Sequence, residues 1–501
     1  MNVRDTVVNA ALSHREHAAM VLGDQRMTYG ELDRLSNRLA HVLLDAGLQR
    51  GGHVALLMSY CPEWLVGYFG IIKAGGKAIV LNAILKPADY EHLLEDSDSS
   101  ILLTEQSFAD ALATILPRLP KLETTIVRDG ETFGRALEAA PQDMPAIELD
   151  DEEECTFVYT SGVLGRQKGV IHTHRSLMAA ARLVTPGLQQ TSKDVVVGMI
   201  PFFYLLGLAV VALISALEGS TIVLVQRFTT RSLLEIADEE KATILVGVPA
   251  MFNALAQVDE ETIGQYDISR LRLAITAGAK SSPALMAELE RKYGLTLVEL
   301  YGTTEAIAST MGSVTDRRLG TAGKPLQEFK LVDPDGSEVR QGEIGELVVR
   351  SPELMNGYYN APELTARVFR DGWFHTGDLM REDGDGYLEY VEKRSFIIVT
   401  AAGVKIPPTE VEEVLLTHPA VAEAAYVGVD GPDGNQIPTL FAVLREGKNL
   451  PKTELRRFCS ERLADYKVPR RIEFLDAIPK TGSGKMDRRT LKEMGLALAD
   501  Q

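Results

Sequence analysis

Apolar positions along the chain fall into two alternating patterns. Leu32, Leu35, Leu39, Val42, Leu43 and Ala46 recur at helical spacing, and Gly47 follows as a helix stop. In front of them Thr28-Tyr29-Gly30-Glu31 reads as a capping box. Mainly apolar runs of strand length come next, at 54–58, 77–81, 101–103 and 124–127, with a helix over 64–73 between the first two. The same runs resume at 195–199, 220–225, 242–248, 271–276 and 296–300. Apolar strands without alternation are buried on both faces, so the pattern predicts α/β architecture with largely parallel sheets.

The stretch 195–217 carries no charge and has the length to span a bilayer. Pro201 and Gly207 break it, and its start is β-branched. It therefore reads as a buried strand, a loop at 201–204 and a core helix. Near residue 317 the texture changes. Gly and Pro become frequent, short alternating runs appear, and Asp333-Pro334-Asp335-Gly336 and Asp383-Gly384-Asp385-Gly386 signal turns. A small β-rich unit is expected over about 315–392, and from Arg394 on helices and strands mix as in a small α+β domain. The expected organisation is a large N-terminal domain, 1–393, followed by a small mobile α+β domain, 394–501. The large domain would hold two mixed or parallel α/β subdomains plus a small β-barrel.

Composition narrows the function classes. A chain of 501 residues exceeds one ordinary core, and 45% apolar with 24% charged residues suits a soluble globular enzyme. The net charge of −18 argues against nucleic acid and anionic membranes as partners. Cys61, Cys155 and Cys459 are scattered, without metal-ligand spacing, which favours a reduced, cytoplasmic setting. No signal peptide is expected, because His14-Arg15-Glu16-His17 interrupts any apolar segment. The acids at 150–154 read as a solvated linker.

The richest local chemistry lies in Tyr159-Thr160-Ser161-Gly162-Val163-Leu164-Gly165-Arg166-Gln167-Lys168-Gly169-Val170. Two hydroxyls, three glycines and a lysine behind an apolar strand suit a loop that lies against phosphates. It is not a P-loop, since Lys168 follows Gln167 rather than a glycine. Five further stretches follow it. They are Gly278-Ala279-Lys280, Tyr301-Gly302-Thr303-Thr304-Glu305, Trp373-Phe374-His375-Thr376-Gly377-Asp378, Glu392-Lys393-Arg394, and Pro479-Lys480-Thr481-Gly482-Ser483-Gly484-Lys485.

In this order and spacing the six stretches resemble the adenylate-forming superfamily of acyl-CoA synthetases, peptide-synthetase adenylation domains and luciferases. The similarity runs from about Thr28 to Lys485. It implies a reaction in two halves. A carboxylate attacks the α-phosphorus of ATP to give acyl-AMP and pyrophosphate, and a nucleophile, often the thiol of CoA, then displaces AMP. The roles it implies are specific. Thr160, Ser161, Gly162 and Lys168 would hold the β- and γ-phosphates. Glu305 would ligate Mg²⁺, whose hard charge suits oxygen donors, and Thr304 would bond the α-phosphate. Tyr301 would stack on adenine, with Gly278 and Ala279 opposite and Lys280, Gly302 and Thr303 completing the nucleotide site. Asp378 and Arg394 would reach the ribose. Lys485 would swing in on the small domain to bridge the carboxylate and α-phosphate. Gly403 would line the pantetheine tunnel, and Tyr204 and Leu205 would border the acyl pocket.

The chain departs from the family pattern at four places. Val163-Leu164 replaces Thr-Thr in the phosphate loop, with Gln167 for the usual Pro. Tyr204 stands where many relatives have His, Phe396 and Ile397 occupy the hinge, and Ala402-Gly403 replaces Gly-Gly. No carrier-protein attachment site follows Lys485, and the uncharged 201–207 segment offers no partner for an amino group. The resemblance thus points to a stand-alone ligase joining an aliphatic or aryl acid to CoA. Transfer to an amine, giving an amide, or to a separate carrier protein is the alternative. An inert nucleotide-binding relative is disfavoured by the intact Glu305, Asp378 and Lys485. The sequence leaves the acid and acceptor open, and a homodimer stands as the assembly to test.

Overall fold

The computed structural model describes residues 1–160, 167–399, 405–430, 436–481 and 485–497. The chain forms two compact units. One takes in 1–329, 349–374 and 386–388, and the other 330–348, 375–385 and 389–501.

Two sheets build the first unit. The nine-stranded sheet runs in the order Lys324–Pro325, Thr310–Met311, Thr296–Tyr301, Leu273–Ala277, Ile244–Gly247, Val195–Gly198, Thr221–Leu224, Ala18–Leu22, Gln25–Thr28. Its centre, from Thr296–Tyr301 to Ala18–Leu22, is parallel, and both margins are antiparallel. The seven-stranded sheet runs Gly357–Tyr358, Lys168–Thr173, Glu154–Thr160, Lys77–Val80, His53–Leu57, Ile101–Thr104, Thr124–Val127. It is parallel from Glu154–Thr160 to Thr124–Val127 and antiparallel beyond. The expected α/β class and its strand runs are thus observed.

Thr28 caps the helix Tyr29–Asp45, accepting from the Glu31 N–H, while the Glu31 carboxylate accepts from the Thr28 N–H. Its buried face, Leu32, Leu39 and Leu43, packs against the helix Pro62–Lys73. A Cβ on Gly70 would lie 2.8 Å from the Leu39 side chain, so only glycine admits this approach. Lys73 is fully buried between the two helices. Its ammonium donates to Asp33 Oδ1 at 2.6 Å, Ser36 Oγ at 2.8 Å and Asn37 Oδ1 at 2.7 Å. Burial draws its pKa down to about 8 against the pull of Asp33.

The uncharged stretch becomes the buried strand Val195–Gly198, a loop and a helix whose first part, Leu206–Leu213, is a π-helix before Ile214–Glu218 turns α. No helix among the described residues is long and apolar enough to cross a membrane. The acidic run is not merely solvated. Asp151 pairs with the N-terminal ammonium, Glu152 with Arg175, Glu153 with Arg50 and Glu154 with Lys77. Basic side chains from elsewhere in the first unit reach it, which no local pattern could announce.

The second unit holds most of a five-stranded sheet built on Glu328–Val332, Ile344–Arg350, Trp373–Glu382 and Leu388–Lys393. It also holds a three-stranded sheet in the order Val421–Asp430, Gln436–Leu444, Arg471–Phe474, the first pair antiparallel and the second parallel. The helices Pro408–Leu416, Lys452–Ser460 and Arg488–Ala497 accompany it. Val411, Leu415, Tyr426, Leu440 and Leu455 form part of its core.

Candidate active site

The phosphate-loop stretch lies on a hairpin. Strands Glu154–Thr160 and Lys168–Thr173 pair antiparallel, and Thr160 stands directly across from Lys168. Residues 161–166 are not among the described residues, so Ser161, Gly162 and the Val163-Leu164 departure lie outside them. Tyr358 faces Val170 on the adjoining strand. The Lys168 ammonium sits 5.2 Å from the centre of the Tyr358 ring, within cation–π range.

Tyr358 leads to the second stretch. Its hydroxyl donates to Glu305 Oε1 at 2.8 Å. Glu305 sits on the loop that joins strand Thr296–Tyr301 to Thr310–Met311. The loop turns tightly, with the Thr303 N–H donating to the Ala306 carbonyl at 2.8 Å and the Ser309 N–H to the Tyr301 carbonyl at 3.0 Å. A Cβ on Gly302 would lie 2.0 Å from the Ile307 carbonyl oxygen, which makes glycine obligatory there.

Buried groups pin this loop from behind. His172 Nε2 lies 2.8 Å from the Thr304 carbonyl oxygen. A carbonyl only accepts, so Nε2 carries the proton and Nδ1 accepts from the Ser176 hydroxyl at 3.0 Å. Burial pushes the His172 pKa down to about 4, keeping the ring neutral. Glu353, fully buried, accepts from the Ile307 N–H at 2.6 Å, the Ala308 N–H at 3.4 Å and Gln327 Nε2 at 3.1 Å. Burial pushes its pKa up to about 7 against those donors. The Met355 N–H donates to the Glu305 carbonyl at 2.9 Å.

Tyr301 ends one parallel strand, and Gly278 follows directly on its neighbour Leu273–Ala277. Carboxyl ends of parallel strands are where ligands dock in such sheets. Below Tyr301, Glu299 is buried, with Oε2 lacking a hydrogen-bond partner, and burial pushes its pKa up to about 8. Tyr204 accepts from Asn82 Nδ2 at 3.3 Å and lies against Phe203, with ring centroids 4.7 Å apart. Leu205 beside it is buried.

In the second unit Asp378 is buried on strand Trp373–Glu382, and its Oδ1 lies 3.4 Å from the Lys393 ammonium. Arg394 Nη1 donates to Glu346 Oε2 at 2.8 Å. The same carboxylate accepts from the Gly377 N–H at 3.1 Å and has His375 Nδ1 at 3.5 Å. Arg394–Phe396 forms a short 3-10 turn, and the Arg488 guanidinium lies 5.3 Å from the centre of the Phe396 ring. Lys485 is exposed, and its carbonyl accepts from the Thr481 N–H at 2.7 Å. Gly403, like 482–484, lies outside the described residues.

The structure therefore brings Thr160, Lys168, Thr304 and Glu305 together through two side chains that sequence reasoning missed, His172 and Tyr358. It gives Asp378 the partner Lys393, and it gives Arg394, in the turn that follows the strand Leu388–Lys393, the partner Glu346, neither of them foreseen. A lone histidine inside the apolar run Val170–Thr173 was the one available signal for His172.

Residues 7–359 match the family model described as AMP-binding enzyme, and residues 410–485 match its C-terminal domain. The chain is 35% identical over 482 residues to a feruloyl-CoA synthase from Amycolatopsis sp, with 94% of each chain covered. An anthranilate CoA ligase solved in complex with anthranoyl-AMP superposes with a TM-score of 0.92 at 28% identity, over 100% of this chain and 98% of that one. An amide bond synthetase from Marinactinospora thermotolerans superposes with a TM-score of 0.87 at 27% identity, over 98% and 99% of the two chains.

Proposed function

Since the chain belongs to the AMP-binding enzyme family, we propose that it activates a carboxylic acid with ATP and passes the acyl group to the thiol of CoA. The carrying observation is the run Lys168–Tyr358–Glu305, which brings a cation and a carboxylate from distant stretches to one place. Adenylation requires that two anions meet, so charge growing on the phosphate oxygens must be neutralised.

Lys168 and Thr160, opposite one another on the hairpin, hold the terminal phosphates. Thr304, its carbonyl fixed by His172, presents its hydroxyl to the α-phosphate. Tyr301 and the Gly278-Ala279-Lys280 backbone take the adenine, with Gly302 and Thr303 shaping the turn. Asp378 accepts the ribose hydroxyls, and Arg394 reaches the same sugar. Lys485 brings its charge to the carboxylate as it attacks. The hard oxygen donors of Glu305 fit Mg²⁺, which is bound by one or two carboxylates together with phosphates and water. When bound, the ion neutralises phosphate charge. Residues 394–501 act as the moving domain, and Gly403 leaves the thiol its path. Buried, unpaired Cys61, Cys155 and Cys459 support a cytoplasmic setting.

Tyr204, Phe203 and Leu205 favour an aryl or aliphatic acid, and the relatedness to a feruloyl-CoA synthase favours aryl. A second reading, transfer to an amine, is favoured by the likeness to an amide bond synthetase and by Tyr204 in place of histidine. Incubation of an acid panel with ATP and either CoA or amines, read by pyrophosphate release and mass spectrometry, tests both. Thioester formation from an adenylated acid supports the first reading. Amide without thioester moves the conclusion to the second, and absence of pyrophosphate with every acid overturns both.

A further inference from the structure

Tyr358 touches two groups that the adenylation reading sends to the same phosphates. Its hydroxyl reaches Glu305 Oε1 at 2.8 Å, and its ring faces the Lys168 ammonium at 5.2 Å. The side chain is only 8% exposed. Its main chain is fixed as well, paired with Val170 and donating its N–H to Thr365 Oγ1 at 2.9 Å. An ionised carboxylate only accepts, so the Tyr358 hydroxyl is the donor in this contact.

A hydrogen bond to one carboxylate oxygen fixes the plane of the group and directs the other oxygen. Removing such a bond to a metal-binding carboxylate typically costs roughly 10–100-fold in metal affinity. The ring acts separately, by attracting an ammonium over its face without competing for the ammonium's hydrogens. We propose that Tyr358 is a positioning residue that couples the two phosphate-binding groups, a role that rests on the adenylation reading. The hydroxyl orients Glu305 toward Mg²⁺, and the ring holds Lys168 where the terminal phosphates arrive.

The two halves can be separated on the full-length protein. Tyr358→Phe removes the hydroxyl and keeps the ring, and Tyr358→Leu removes both. The probe is α,β-methylene-ATP, titrated calorimetrically with and without Mg²⁺, with Mn²⁺ resonance spectra as a second readout of the metal. Tyr358→Phe is expected to bind the analogue normally without metal and to lose at least roughly tenfold of the affinity that Mg²⁺ adds. Tyr358→Leu is expected to lose that and also to bind the metal-free analogue several-fold more weakly. The phenylalanine variant differs by one oxygen, so it decides the matter if the leucine variant fails to fold. A wild-type Mg²⁺ increment in Tyr358→Phe overturns the coupling while leaving adenylation intact. If the unaltered chain binds no analogue at all, the adenylation reading falls, and this role falls with it.

Discussion

Lys485 tests the residue assignments most directly, because the proposed adenylation would need its charge only while the phosphorus is under attack. Lys485→Ala should lower pyrophosphate formation by about 10²–10³. Thioester formation from synthetic acyl-AMP and CoA should be nearly unchanged, and equal slowing of both steps would remove the assigned role. Residue types were read at this site from the chemistry that phosphate, ribose and metal would demand. Their partners were not. Tyr358 lies 53 positions from Glu305, and His172 lies 132 from Thr304. Arg394 illustrates the cost of reading a residue alone. Its Nη1 already has the buried Glu346 carboxylate as partner, so a ribose contact would fall to the other N–H groups of the guanidinium.

The loop 302–309 shows how an element holds its residues. Gly302→Ala would drive a methyl group into the Ile307 carbonyl. The loop must then move, with an expected destabilisation of about 1–3 kcal/mol and a larger loss of pyrophosphate formation. A calorimetric scan and a pyrophosphate assay check both parts, and an active, fully stable variant would contradict the geometry. Glu353 supplies a pH-dependent counterpart. Its folded pKa is raised to about 7 from 4.5, so the native state binds the extra proton between those values. Stability from this group is present below about pH 4.5 and lost as pH rises through 7. Glu353→Gln removes that loss, and Gln327 Oε1, which lacks a partner, can accept from the new amide after a flip. The melting temperature of the variant should therefore gain on the wild type as pH rises from 4.5 to 7. At the same scale, strands were read to within a residue or two because short, mainly apolar runs rich in β-branched residues suit buried strands better than helices. The π-helix at 206–213 was not, since an all-apolar segment shows no periodicity to distinguish it from α.

At the scale of the whole molecule, two pairs of buried groups titrate in opposite senses. His172 and His174 are each pushed down by burial to about 4, so their contribution is present above about pH 6.5 and lost as pH falls toward 4. Glu299 and Glu353, raised to about 8 and about 7, lose theirs as pH rises from 4.5. The two pairs act in opposite directions between pH 4.5 and 6.5. Above pH 6.5 the histidine contribution is complete and the carboxyl loss continues, so thermal stability should decline between pH 6.5 and 8. A melting temperature that climbs steadily to pH 8 would show that these carboxyls are ionised in the fold. The expected division at 393/394 is a single cut, whereas the second compact unit gathers three separate stretches, which no change of texture along the chain marks. Strands Thr310–Met311 and Lys324–Pro325 likewise join the nine-stranded sheet, although the texture changes between them.

The three buried cysteines carry a practical consequence. Burial raises the thiols of Cys61 and Cys155 to about 12 and that of Cys459 to about 11, and no disulfide links them. Native protein should be silent to maleimides near neutral pH, and should react at three sites once unfolded. The unaltered chain is thus its own blank for spectroscopy. A cysteine placed at exposed Leu12 and another at exposed Tyr466 would carry a fluorophore pair, one on each compact unit, with no native thiol to remove. Distance distributions from such a pair, recorded with ATP, with an acid and with CoA, would time the motion assigned to residues 394–501 against each half of the reaction.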